Sequence, residues 1–434
     1  MTDSTLKHRE STNSELIQTW SKIGMQSFGG PTAQIALMHR ILVEEKGWLT
    51  EKQFLAALSF CMLLPGPEAM QLATYAGWKQ RGTIGGLIAG SLFVLPGAAV
   101  ILILASLYMI YGEVPGVQAA FLGIKAAVLA IVLEALIKIS KRALDGLGHY
   151  LLALFAFIAL FALQLPFPLV IIIAGFCGFL FLHQPKETET APALPKGSFK
   201  RLIKTVGLWL ALWFLPIAGL FMALGDGHII TNLATFFSKL AIVTFGGAYA
   251  VLAYMADDVV SSQGWLSAAQ MIDGLGLAET TPGPLILVTE FVGFVAAYQW
   301  NGGANFLMGL AGAIVTLWVT FVPCFLWIMA GAPYIDWISS RPRLKAALAA
   351  ITAAVVGVIA NLSLWFSLHI LFEKLEGKTF GSVQILLPDV TSLDMLTLIL
   401  VILNAYLLLV RKWNLFWLLG LSASASWLFK VLIL

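Results

Sequence analysis

From about residue 14 onward the chain is a succession of long apolar stretches parted by short polar ones. Residues 84–111, 117–137, 148–164, 166–183, 205–224, 303–331, 344–371, 393–410 and 413–434 are mostly apolar, and each is about long enough to cross a bilayer as a helix. One further apolar run is broken from within. "FCMLLPGPEAMQLATYAGW" (60–78) carries Pro65, Gly66 and Pro67 at its middle. Proline removes a backbone donor and clashes with the preceding turn, and glycine adds backbone freedom. One helix should therefore end and another begin there, with Pro67 near the first-turn position that tolerates it. In hydrocarbon such a break survives only where protein or a water-filled cavity covers it.

The pattern repeats. "SKIGMQSFGGPTAQIALM" (21–38) returns as "SKLAIVTFGGAYAVLAYM" (238–255), and the GWL at 47–49 and PGP at 65–67 return at 264–266 and 282–284. Phe28 and Phe245, Trp48 and Trp265, and Pro65 and Pro282 are each 217 residues apart. Farther on, "GGLIAGSLFVLP" (85–96) pairs with "GAIVTLWVTFVP" (312–323), and "IKAAVLAIVL" (124–133) with "ITAAVVGVIA" (351–360), both at 227. The difference implies about ten extra residues near "YQWNGGANFL" in the second half. Five matches in order mean two homologous halves.

Composition fixes the class. The 434 residues are 59% hydrophobic and 11% charged, against about a quarter charged in soluble chains. This is an all-α polytopic membrane protein. The net charge of +3 is less informative than where the basic residues lie. Lys79 and Arg81, "KISKR" (138–142), the linker lysines and arginine of 184–204, "RPRLK" (341–345) and Arg411–Lys412 all bracket spans. The positive-inside rule makes these stretches cytoplasmic. Four crossings separate Lys79 from the linker, and 205–224 then adds one that delivers the second half upside down. The expected organisation is a polar cytoplasmic tail (1–13), a first repeat (14–183), a cytoplasmic linker (184–204), an inverting helix (205–227) and a second repeat (228–434). Two inverted-topology repeats with interrupted, re-entrant helices are a signature of secondary transporters, whose sites lie near the midplane.

Residues 1–13 are polar and end in no small-residue cleavage site after an apolar core, so no cleaved signal peptide is expected. Cys61, Cys177 and Cys324 lie in apolar segments without a CxxC pair, so neither a disulfide nor a zinc site is expected, and no cofactor. No basic patch interleaved with aromatics suggests a nucleic acid. Lipid surrounds the chain, and a homodimer stays open.

Helices starting after Gly30, Pro67, Gly247 and Pro284 would begin near the midplane, two from each face. Helix N-termini carry partial positive charge and free N–H groups that bind oxyanions. The rare intramembrane charges add candidates: Lys22 and Lys239, at equivalent positions, and Lys125. Glu68, Glu279 and Glu290 lie beside the breaks and could bind a proton or cap a helix, with Leu285 standing opposite Glu68. Glu134 and Lys138 read as an ordinary i,i+4 pair, and Trp48 and Trp265 as interfacial anchors.

"SFGGPTAQIALM", "LLPGPEAMQLATYAGW", "GTIGGLIAGSLFVLPG" and "AETTPGPLILVTEFVGF" resemble the chromate ion transporter family in its long two-domain form, from about residue 14 to the end. The resemblance implies an inner-membrane exporter that confers chromate resistance, with sulfate, of the same shape and charge, as competitor or alternative substrate. It places the family motif on Phe28, Gly29, Gly30, Pro31, Pro65, Gly66, Pro67, Gln71, Tyr75 and Gly77. In the second half the motif falls on Phe245, Gly246, Gly247, Glu279, Thr281, Pro282, Gly283 and Pro284, with Ala248 in place of Pro31. A membrane enzyme acting on lipid-linked substrates is the rival from another class. The six histidines form no ligand-spaced set for it, and two separately interrupted halves favour alternating access over a channel.

Overall fold

The computed structural model describes residues 11–182, 199–245, 248–335, 341–380 and 383–433. The part before the linker forms α1 (Asn13–Gln26), α2 (Gly30–His39), α3 (Glu51–Cys61), α4 (Glu68–Tyr111), α5 (Pro115–Ala143), α6 (Leu147–Phe161) and α7 (Phe167–Phe181). Then come α8 (Phe199–Leu224), α9 (Ile229–Val243), α10 (Ala248–Asp257), α11 (Ala268–Thr280), α12 (Val288–Tyr298) and α13 (Phe306–Gly331). The remainder is α14 (Pro342–Leu371), an antiparallel hairpin of β1 (Leu375–Phe380) and β2 (Val383–Pro388), α15 (Met395–Ala405) and α16 (Leu415–Ile433). Five helical stretches are long and apolar enough to span a membrane.

The broken segments fold back on themselves as short helical hairpins. With 14 and 10 residues, α1 and α2 reach about 21 and 15 Å at 1.5 Å per residue, each short of the ~30 Å hydrocarbon core. Their far ends return to one place: Lys46 Nζ lies 3.1 Å from Glu15 Oε1. The next pair does the same, because Gln80 Nε2 donates to the Trp48 carbonyl at 3.0 Å. Trp48 is thus buried and packed within the protein rather than anchored at an interface. The start of α3 is fixed by a capping box between Thr50 and Gln53, and that of α11 by the same box between Ser267 and Gln270. These residues also stand 217 apart.

α4 is two limbs. Arg81 (φ −140°) and Gly82 (φ +58°, ψ −147°) reverse the chain, and the limbs then touch along glycines. A Cβ on Gly77 would sit 2.2 Å from the Gly85 carbonyl. In the second half α12 and α13 make the same contact through Gly293 and Gly312, where a Cβ on Gly312 would meet the Gly293 carbonyl at 2.2 Å. The extra residues inferred from the changed repeat offset form the connection around 299–305 between them.

The two hairpin sets oppose each other. The long limb of α4 leaves the base of the first set, passes the second set's tip where Gly97 abuts the Pro282 carbonyl, and reaches its flank, where Tyr108 bonds Asp273. α13 runs the reciprocal course, with Cys324 against Gly66 and Gly331 against Phe60. Outside this core the halves interlock: α5 is covered by α15 and α16, α14 by α6 and α7, and α5 crosses α14. α8 packs on α13 through Trp209–Phe325 and Trp213–Trp327 ring contacts and leaves most of its apolar surface outward. Beyond β2, Asp389 accepts hydrogen bonds from the Thr391 amide and hydroxyl, which hold its carboxyl below the usual range.

Candidate functional site

The four breaks meet tip to tip. The N–H of Gly66 donates to the Thr244 carbonyl and the N–H of Gly283 to the Ser27 carbonyl, both at 2.8 Å. Thr244 and Ser27 are themselves repeat equivalents, so each PGP turn is bonded to the residue just before the FGG of the other half. Gly66 (φ +116°) and Gly283 (φ +90°) hold a backbone region that only glycine enters without strain. The turns before the FGG also match, with Phe28 N–H bonded to Gln26 O and Phe245 N–H to Val243 O, each at 2.9 Å.

Side chains lock the tips. Gln34 Nε2 donates to Gly283 O at 2.6 Å and Ser27 O at 3.2 Å, and Gln71 Nε2 donates to Pro65 O at 2.7 Å. Gly29 (φ +83°) caps α2, with Gly30 and Pro31 in its first turn. Phe28 meets Phe416 edge to face at 5.0 Å. Pro67 caps α4 and Glu68 opens it, whereas after Pro284 a 3-10 turn (Leu285–Leu287) precedes α12. The two breaks therefore differ in how their helices start. Gly246 and Gly247 lie outside the described residues. Thr281 Oγ1 is bonded to Leu277 O, and Tyr75 is buried near Trp78.

Beside the first break is a small cavity of about 10 Å3, lined by Gly66, Pro67, Thr244, Thr289, Thr320 and apolar side chains of α9 and Ile286. That is room for about one water.

The predicted charges sort differently. Lys22 and Lys239 occupy matching places on the exposed faces of α1 and α9, and neither lines the cavity. Lys125 meets Asp273 of α11, its Nζ 3.3 Å from Oδ1, a charge contact rather than an aligned hydrogen bond. Tyr108 donates to Oδ2 at 2.9 Å. Glu279, one turn before the second break, accepts from Tyr249 at 2.9 Å. Glu290 is buried in the first turn of α12, and its Oε2 has no partner among the described residues. Glu134 and Lys138 pair at 2.7 Å.

Sequence reasoning passes over Gln34, Thr289, Thr320, Asp273, Tyr108 and Tyr249. Asp273 had a signal: it is an acid in the apolar run "AAQMIDGLGLA", opposite in sign to Lys125. Gln34 and the threonines had none, because only the crossing of the halves gives them neighbours.

The sequence profile of the chromate transporter family matches residues 14–179 and 231–427. A chromate transport protein of Cupriavidus metallidurans is 30% identical over 80% of both chains. One of Pseudomonas aeruginosa is 30% identical over 85% of this chain and 84% of its own. An uncharacterized transporter of Bacillus subtilis is 31% identical over 39% of this chain but 87% of its own length. No solved structure matches. With both matched stretches falling on the two sets of broken helices, the chain belongs to the chromate transporter family.

Proposed function

We propose that this protein is a secondary transporter that exports chromate across the bacterial inner membrane and so confers chromate resistance. The observation that carries the reading is the crossed contact of the breaks, Gly66 to Thr244 and Gly283 to Ser27. It holds helix ends together at the centre of an apolar bundle, where their free N–H groups offer a divalent oxyanion a neutral but electropositive seat. The family motif residues Phe28 to Pro31, Pro65 to Pro67, Gln71, Tyr75, Glu279 and Thr281 to Pro284 surround that seat. Lys22 and Lys239, exposed at matching places, raise the local anion concentration on the approach.

Opposed hairpins at constant sequence offset support an inverted repeat, and with it alternating access by exchange of equivalent conformations between the halves. Glu68, Glu279 and Glu290 are the carboxylates nearest the breaks and the candidates for a coupling proton.

The test is chromate uptake into inside-out vesicles, with a pH gradient and a membrane potential imposed separately. Saturable uptake that follows one of the two gradients is the expected result, and sulfate in excess should be tried as competitor. Uptake no greater than in vesicles lacking the protein, under either gradient, rejects export.

A further inference from the structure

Of the three carboxylates beside the breaks, Glu279 is placed unlike the others. Glu68 and Glu290 each lie in the first turn of their helix, where the partial positive charge favours the anion. Glu279 lies in the last turn of α11, where the partial negative charge opposes it. It is buried, and no ion pair among the described residues includes it. Six residues back on the same helix Asp273 faces Lys125, whereas Glu279 has Tyr249, whose hydroxyl donates to its Oε1 at 2.9 Å. The charge that acts on it from a neighbouring helix is another carboxylate, Glu134 of α5, itself paired with Lys138. Among the described residues α4, α12, α14 and α16 also pack on α11 and bring no charged group against Glu279. Tyr249 stands in the first turn of α10, just after the break at 245–247, and Glu279 just before the break at 282–284. Their bond therefore ties the two hairpins of the second half together at their broken ends. At the repeat offset of 217 the first half holds Thr32 and Met62 in these places, and neither takes a proton.

We propose that Glu279 is the site at which the transporter binds a proton, and that this proton is bound together with the anion. The inference rests on the transport reading above and narrows its three carboxylates to one. Ionised, Glu279 accepts a charge-assisted hydrogen bond from Tyr249, which holds α10 to α11 across the breaks. Its charge also repels a dianion from the tips, one turn away. Protonated, it keeps only a neutral hydrogen bond, roughly half as strong, and the repulsion is gone. A proton on the carboxylate thus loosens the second pair of hairpins and admits the anion in the same step. The proton is taken from solution and returned to it when Glu279 ionises again, so one proton accompanies each anion. The device belongs to one half only, because Thr32 and Met62 cannot titrate.

The test is chromate affinity of the purified full-length protein, by equilibrium dialysis across the alkaline range, where chromate is itself fully deprotonated. The half-saturating chromate concentration for vesicle uptake, at equal pH on both sides, is a second readout, and thermal stability reports folding. In the parent, affinity should fall about tenfold per pH unit once Glu279 is ionised, the signature of one proton bound with each anion. Glu279→Gln is neutral at every pH, so its affinity should not change with pH and should exceed the parent's at the alkaline end. Tyr249→Phe removes the donor that favours the ionised form. Its fall should begin about one pH unit higher or more, the worth of a hydrogen bond to a charged group. A parent affinity that is constant with pH, or a fall that persists in Glu279→Gln, overturns the proton site while leaving transport intact. So does a fall abolished by Glu68→Gln or Glu290→Gln instead. Should Glu279→Gln not fold, an unshifted profile in Tyr249→Phe overturns the proposal alone. A parent that binds no chromate and moves none overturns the transport reading as well.

Discussion

Lys125 shows how a single charge is made tolerable inside the bundle. Its ammonium faces the Asp273 carboxylate, which Tyr108 also holds, and the Tyr108 ring packs edge-on against Phe121 and Phe291. In such a place a pair contributes little net stability, but removal of one partner strands the other. Lys125→Gln should therefore destabilise the protein by about 3–5 kcal/mol, read as a lowered unfolding temperature in detergent. Lys125→Gln with Asp273→Asn should recover most of the loss, since neither side chain is then left charged. A single mutant as stable as the parent would mean that the two charges are solvated independently. The sequence marked Lys125 as a candidate anion ligand. The pairing with Asp273 depends on α5 of one half lying beside α11 of the other, a contact that no local pattern encodes.

At the scale of elements, the breaks were legible because proline and glycine act locally. Pro65-Gly66-Pro67 ends α3 and starts α4 where the side-chain types require it, and the spans read from apolar runs match α6, α7, α14 and α16 to within a few residues, while α5 runs six residues beyond its apolar span. The reversal at Arg81–Gly82 was less visible, since a single glycine gives a weak signal. What the breaks do to each other was not visible at all. Gly66 cannot be replaced freely, because its φ is +116° and a Cβ would lie 2.8 Å from Cys324 Sγ and 2.8 Å from Gln71 Nε2. Gly283 has φ +90° with looser surroundings, the nearest atom being Leu287 Cδ1 at 3.2 Å. Left-handed backbone costs a non-glycine residue about 1–2 kcal/mol, and only Gly66 adds a clash between buried groups. Gly66→Ala should thus lower thermal stability more than Gly283→Ala, and both should keep their helical circular dichroism. The reverse order would mean that the tips are not held as these contacts indicate.

The whole molecule has a direction that two contacts define. Arg81, at the base of the first hairpin set, bonds the Ser11 carbonyl at 2.7 Å, so the N-terminal segment lies at that base. The long limb of α4 then carries the chain away, and at its far end Gly116 abuts Trp427 near the end of α16. The N-terminal segment and the C-terminal end of α16 are therefore on opposite sides of the bundle. Which side faces the cytoplasm is a prediction from charge. Lys79 and Arg81 stand at the base, while the 112–116 connection has neither lysine nor arginine. From the positive-inside rule we predict a cytoplasmic N-terminus and 184–204 linker and a periplasmic C-terminus. On the same expectation α8 is one added crossing between the halves, which would invert the second half relative to the first. Fluorescent-protein fusions at Met1 and after Lys196 should fluoresce, and alkaline phosphatase fused after Leu434 should be active. Phosphatase activity at the linker, or a fluorescent C-terminal fusion, would require an even number of crossings between the halves' equivalent points. The two sets of broken helices would then enter from the same face, and alternating access by exchange of equivalent halves would lose its basis.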